Sequence, residues 1–270
     1  MKSNAPIGVF DSGVGGLTVV KEIMRALPKE SIVYYGDTAR VPYGSKSAET
    51  ITAYSRQIAR FLMTQEVKAI VVACNTVSAL ALETIKNEFE VPFIGVVKPG
   101  AKMAAQATKN KKIGIIATEG TISSGIYEKF LKTTSPEVEV YGKACPLFVP
   151  LAEEGWLHDE VTKQVAERYL AGLKEKQVDA LVLGCTHYPL LRGVIGEVMG
   201  SDVTLVNPAY ETAKELMFVL EDKHLLRETK DSPVHKFYVS DGAEKFRRFA
   251  NSILPCDHLE VEDVAVKSFE

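Results

Sequence analysis

Short apolar runs alternate with stretches of helical period along almost the whole chain. Residues 6–10, 30–35, 69–72 and 91–97 are runs of strand length, rich in β-branched and aromatic side chains, and most give way to polar or glycine-bearing segments. Between them Leu17, Val20, Ile23, Met24 and Leu27 recur at helical spacing, with Pro28 just beyond the last. Ile51, Tyr54, Ile58 and Leu62 form a second stripe in a helix expected over residues 47–65, and Leu80, Leu82, Ile85 and Phe89 a third. Lys98-Pro-Gly-Ala101 breaks this pattern, and the same alternation then starts again. Strands are expected from 112, over 138–141, 178–183 and 203–206, with helices over 158–174 and from Pro189 past Ile195. Strand, turn and helix in regular alternation predict parallel sheets covered on both faces.

The second stretch repeats the first. Lys112-Ile-Gly-Ile-Ile-Ala-Thr-Glu-Gly120 mirrors Pro6-Ile-Gly-Val-Phe-Asp-Ser-Gly13, and Ala180-Leu-Val-Leu-Gly-Cys185 mirrors Ala69-Ile-Val-Val-Ala-Cys74. Val97-Lys-Pro-Gly-Ala101 and Val206-Asn-Pro-Ala209 also look alike, and we read both as crossings between two halves. The tail then returns to the first half with a helix over 210–224, a strand over 236–240 and a short helix from Gly242. The expected fold is α/β: two pseudo-symmetric doubly wound domains, mainly parallel, with a cleft between them. Residues 1–98 with 207–270 form one domain and residues 99–206 the other.

Bulk properties narrow the function. With 46% hydrophobic and 25% charged residues the composition is that of a soluble globular protein. A net charge of −3 offers no electrostatic case for nucleic acid or an anionic membrane. No apolar run approaches the roughly 20 residues of a membrane span, and the opening residues leave no room for a signal peptide. The four cysteines, at 74, 145, 185 and 256, form no CxxC pattern, so zinc has little support. In a reducing compartment, burial or thiol chemistry are the readings that remain.

Candidate chemistry gathers at the strand ends. Gly13, Gly15 and Gly16 do not make a dinucleotide fingerprint, because Thr18 occupies its third glycine position; backbone amides there suit a smaller anion such as a carboxylate. Asp11 is either a helix cap or a partner to a reactive group. The loop of residues 36–45 is either a plain surface loop or a ligand loop, in which Pro42 turns the Tyr43 hydroxyl and the Gly44 amide inward. Cys74 and Cys185 each end a buried strand and begin a helix, where the backbone dipole is expected to lower a thiol pKa. His187 could serve Cys185, whereas Cys74 has no histidine nearby in sequence. A matched pair suits a reaction whose two faces are mirror images: one thiol removes a proton from carbon and the other delivers one opposite.

Asp11-Ser-Gly-Val-Gly-Gly16, Val41-Pro-Tyr-Gly44, Ala73-Cys-Asn-Thr76 and Gly184-Cys-Thr-His-Tyr-Pro189 closely resemble the motifs of the glutamate racemases, in order and spacing, from residue 6 to about 250. The resemblance implies interconversion of L- and D-glutamate by two cysteine bases without a cofactor or metal. By it, Cys185 takes the Cα proton of L-glutamate while Cys74 donates on the opposite face. Asp11, Glu153 and His187 match the groups that tune the thiols, although Glu154 adjoins Glu153 and sequence barely separates them. Asp11, Ser12, Tyr43, Gly44, Asn75, Thr76, Thr186 and His187 match substrate-binding positions, joined by Thr118 and Thr121 in the mirrored turn. The same resemblance implies a cytoplasmic homodimer supplying D-glutamate for peptidoglycan, with glutamate its small-molecule partner. A racemase for another acidic amino acid such as aspartate, a non-catalytic amino-acid binding module and a thiol redox sensor are the rival readings. Cys145, Cys256, His158, His224, His235 and His258 have no comparable setting and read as structural.

Overall fold

The computed structural model describes residues 2–255, 259–266 and 269. The first sheet and its helices begin with β1 (Ile7–Asp11), α1 (Leu17–Ala26), β2 (Ile32–Gly36), α2 (Ala48–Thr64), β3 (Ala69–Val72), α3 (Asn75–Leu80), α4 (Leu82–Ile85) and β4 (Phe93–Gly95). After α5 (Val97–Ala107) the second half runs through β5 (Lys112–Ala117), α6 (Glu119–Ser123), α7 (Ile126–Thr134), β6 (Glu139–Ala144), α8 (Phe148–Glu153), α9 (Glu160–Glu175), β7 (Ala180–Gly184), α10 (Arg192–Met199) and β8 (Thr204–Val206). Then come α11 (Pro208–Asp222), β9 (His235–Val239), α12 (Ala243–Ile253) and β10 (Val261–Asp263).

All strand pairs are parallel. The sheets run β10-β9-β2-β1-β3-β4 and β6-β5-β7-β8, so β2-β1-β3-β4 and β6-β5-β7-β8 share one winding and the chain's tail extends the first. Period-2 alternation is visible inside continuous apolar strands. Ala69 and Val71 of β3 pack toward α1 and α11, while Ile70 and Val72 pack toward α2. In β7, Ala180 and Val182 face α5 and α7, and Leu181 and Leu183 face α8 to α10. In each sheet the winding reverses between the first strand of its half and the third (β1/β3, β5/β7), and a crevice opens there beyond the carboxyl ends.

The two crossings are helices. Lys98-Pro-Gly-Ala101 does not break the chain as expected but lies inside α5. Pro99 falls in its first turn, where a missing N–H loses no intrahelical bond. Asn207 caps α11, its side chain accepting from Ala209 N at 3.1 Å, with Pro208 as first helical residue. The two helices pack side by side, and a Cβ on Gly100 would come within 2.9 Å of Pro208 Cγ, so glycine sets how closely they approach.

Beneath the first sheet, Lys68 is fully buried. Its Nζ contacts Glu30 Oε2 at 2.6 Å and donates to the carbonyls of Ser3 at 2.6 Å and Leu225 at 2.7 Å, while Arg227 N donates to Glu30 Oε1 at 2.9 Å. This cluster ties the N-terminal segment and the link between α11 and β9 to the start of β3. Lys68→Met would strand the Glu30 charge in the interior, and we expect a loss of about 3–5 kcal/mol in unfolding free energy, measurable by urea titration.

Candidate active site

The sequence-predicted residues converge. Ser12, Tyr43, Gly44, Cys74, Asn75, Thr76, Thr118, Cys185, Thr186 and His187 line one cavity of about 50 Å3 between the carboxyl ends of the two sheets, together with Val41, Pro42 and Val149. Cys74 follows β3 and Cys185 follows β7, and they are 5% and 7% exposed. Both are free thiols. Asp11, Thr121 and Glu153 stand just behind this lining.

Each thiol has its own setting. Cys74 is the N-cap residue of α3, and its Sγ lies 3.7 Å from Ser12 Oγ. Its pKa is pushed up to about 12, first by burial and then by the Asp11 carboxylate; the Val77 N–H and the Ser12 hydroxyl oppose the rise without overcoming it. The lowering expected from a helix N-terminus is therefore overturned, because loss of hydration outweighs the amides of a six-residue helix. Cys185 Sγ lies 3.8 Å from His187 Nδ1, and His187 Nε2 lies 3.0 Å from Glu153 Oε1. Burial works against a charged His187, but the bonds to Cys185 and Glu153 prevail and its pKa rises to about 10. Glu153 faces this line, whereas its neighbour Glu154 is exposed.

Asp11 is not the cap of α1, whose N-cap residue is Gly16, but holds together the turn leading into it. Its Oδ2 accepts from Gly13 N at 3.1 Å and Gly16 N at 3.0 Å, closing the turn, and Oδ1 has a long 3.4 Å contact with Thr186 Oγ1 across the cleft. Burial raises its carboxyl pKa, opposed by the charge of His187 and by these amides. The Tyr43 hydroxyl donates to Asp37 rather than standing free for a ligand, and Arg40 Nε meets the same Asp37 oxygen at 2.6 Å.

Polar bonds lace the halves together. Thr76 and Thr118 hydroxyls are 2.9 Å apart, Thr121 Oγ1 lies 3.1 Å from Thr118 Oγ1, and Gly120 N donates to Gly44 O at 2.9 Å. Two residues of this lacing gave no usable signal as site residues. Tyr127 on α7 donates to Asn75 Oδ1 at 2.7 Å and so fixes the amide's orientation. The Thr18 hydroxyl, at the position that breaks the glycine fingerprint, reaches Gly15 O at 2.9 Å and Thr186 O at 3.1 Å.

The remaining candidates lie apart. Cys145 is buried, with its thiol pKa pushed to about 12 by burial, and its carbonyl accepts from Tyr188 Oη at 2.8 Å. His158 and His224 are exposed and His235 is half-buried. Cys256 and His258 lie outside the described residues.

Two like α/β halves closing on two free thiols, with a histidine and carboxylates behind them, define a two-domain α/β protein with a thiol-lined interdomain cleft. Residues 7–216 match the family model described as Asp/Glu/Hydantoin racemase. The chain belongs to that family, and with it to the amino-acid racemases among the isomerases. A glutamate racemase from Geobacter metallireducens is 55% identical over 248 residues, 92% of each protein. The crystal structure of glutamate racemase from Francisella tularensis in complex with D-glutamate superposes with a TM-score of 0.92 at 41% identity, over 98% of this chain and 99% of that one. An aspartate racemase homologue from Pyrococcus horikoshii shares the fold at a TM-score of 0.59 and 16% identity, over 80% of this chain and 99% of that one.

Proposed function

We propose that this protein racemises glutamate without a cofactor, Cys74 and Cys185 serving as acid and base on opposite faces of Cα. The observation that carries this is that two free thiols from matching positions in two like halves line one cavity. Their unequal surroundings support a division of labour. A thiol with a pKa near 12 rests protonated and is a proton donor, while a thiol beside a histidine of raised pKa is paired with a cation suited to a thiolate. That is the state needed for L-glutamate: the Cys185 sulfur takes the Cα proton, the C–H electron pair stays on carbon, and the Cys74 S–H delivers its proton to the other face. Product leaves with Cys185 protonated and Cys74 as thiolate, the state that serves D-glutamate.

The Cα–H of an amino acid is very weakly acidic, so the developing charge needs donors already in place in a dry site. We assign this task, and the binding of the two carboxylates, to Thr76, Thr118, Thr186, the Asn75 amide and the backbone amides around Ser12 and Gly44, which line the cavity. Glutamate is favoured over aspartate by the identity levels of the relatives, 55% and 41% against 16%. No helix among the described residues is long and apolar enough to cross a membrane. D-Glutamate made in the bacterial cytoplasm by a homodimer, for peptidoglycan, is the cellular role we assign.

Incubation with L-glutamate or L-aspartate in D2O tests the reading. We expect circular dichroism of the glutamate sample to decay to zero while deuterium enters Cα, with aspartate unchanged on that timescale. Binding without deuterium incorporation would leave a non-catalytic module.

A further inference from the structure

A second cavity, of about 210 Å3, lies against the outer side of the catalytic one. Val41 lines both, the turn after β1 contributes Ser12 to the inner and Val14 to the outer, and α8 contributes Val149 to the inner and Glu153 to the outer. Val149 and Glu153 are one helical turn apart, so a single helix presents an apolar wall to the thiols and its carboxylate to the second space. The facing wall is α12, in the returning tail of the chain, which brings Lys245, Phe246 and Phe249. Three charged side chains line this cavity: Glu153, Asp241 and Lys245.

We propose that Lys245 is a positioning residue of the active site: from α12 its positive charge acts across the second cavity on the Glu153 carboxylate, which holds the His187 ring beside Cys185. This rests on the two-thiol reading above. The chain of contacts runs from Cys185 Sγ to His187 Nδ1 at 3.8 Å and from His187 Nε2 to Glu153 Oε1 at 3.0 Å, and Glu153 and Lys245 line the same second cavity. The Glu153 carboxyl is held below the usual carboxylate range chiefly by its bond to His187; the charges of His187 and Lys245 act in the same direction, against burial. Phe246 is buried in the core of the first sheet and Phe249 packs against that core, so α12 is anchored and the backbone of Lys245 is fixed at the cavity wall. The tail thereby does more than extend the first sheet: it brings a cation of that domain to bear on an acid–base pair of the other.

Lys245→Met and Lys245→Arg, made in the full chain, test this. Two quantities are read: kcat and KM in both directions, and the rate of iodoacetamide labelling at Cys185 against Cys74, resolved by peptide mass spectrometry. Lys245 lies on an exposed helix position, and Lys245→Met should leave the fold intact. We expect Lys245→Met to lower kcat about three-fold in both directions, as for a partly screened charge pair. Labelling of Cys185 should fall by the same factor while that of Cys74 stays constant, and Lys245→Arg should restore both. An unchanged labelling ratio overturns the proposal. So does a rise in KM with kcat unchanged, which would make Lys245 a guide for incoming substrate instead. Retention of racemisation in Cys185→Ser would sink the two-thiol reading itself, and that result is separate from either of these.

Discussion

Cys74→Ser and Cys185→Ser are each expected to lower racemisation by about 10³-fold, the scale of losing a positioned general acid or base. The loss must appear in both directions, because each direction needs one thiol to remove a proton and the other to supply one. What separates the two variants is proton exchange. With Cys185 intact, Cys74→Ser should still exchange the Cα hydrogen of L-glutamate with solvent deuterium while forming almost no D-glutamate. Cys185→Ser should do the reverse, exchanging D-glutamate alone. A hydroxyl is close to isosteric with a thiol, so the fold should survive, and an unchanged thermal midpoint would show it. The chemistry is what changes, since an alkoxide is far less accessible than a thiolate near neutral pH. Racemisation at near wild-type rate in either variant would remove that cysteine from the mechanism.

The asymmetry of the site sharpens this expectation. Cys185 has His187 and Glu153 behind it, whereas Cys74 has Ser12 and the Asp11 charge, which raises its pKa. Serine at 185 still faces the His187 cation, which favours negative charge on its oxygen; serine at 74 faces the Asp11 charge, which opposes it. The residual activity of Cys185→Ser should therefore exceed that of Cys74→Ser, which can be read from long-time circular dichroism traces.

Much of this site was legible in the sequence because its chemistry sits where strands end. A four-residue apolar run followed by cysteine and hydrogen-bonding side chains specifies a buried strand and a helix start, and its repetition at 69–76 and 180–187 exposed the two-domain α/β fold. What the sequence hid depends on distance across the fold. Tyr127 finds Asn75 only after α7 has packed beneath the second sheet, and nothing local marks it. The pKa of Cys74 followed burial and the Asp11 charge, neither of which a helix-start signal contains. Glu153 and Glu154 are equivalent in composition, and only the turn of α8 separates them. Proline in Lys98-Pro-Gly-Ala101 read as a break because the same residue that ends helices is also tolerated in their first turn. The strand β10 carries two acidic residues among its three, so no apolar run marks it.

Gly15→Ala is expected to cost about 10²-fold in kcat/KM while changing stability little. A Cβ at this position would lie 2.3 Å from Thr186 Oγ1 and 2.6 Å from His187 Nδ1. That nitrogen is the one facing Cys185, so the methyl group would push on the acid–base pair itself, and a displacement of about 1 Å at reacting groups is worth roughly that factor in rate. Gly15 belongs to the turn after β1 and its obstacles to the turn after β7, so the clash lies between the two halves. The protein can relieve it by opening the cleft slightly, which spares both hydrophobic cores and explains why stability should hold. The same change at Gly172, inside α9 with no atom near the added methyl, should instead raise stability by roughly 0.5–1 kcal/mol and leave the rate alone. Identical chemistry with opposite outcomes would locate the effect in the approach of the halves. If Gly15→Ala kept activity within a few-fold of the parent, turns this close would not be required at the moment of proton transfer, and a more open cleft would have to be the working form.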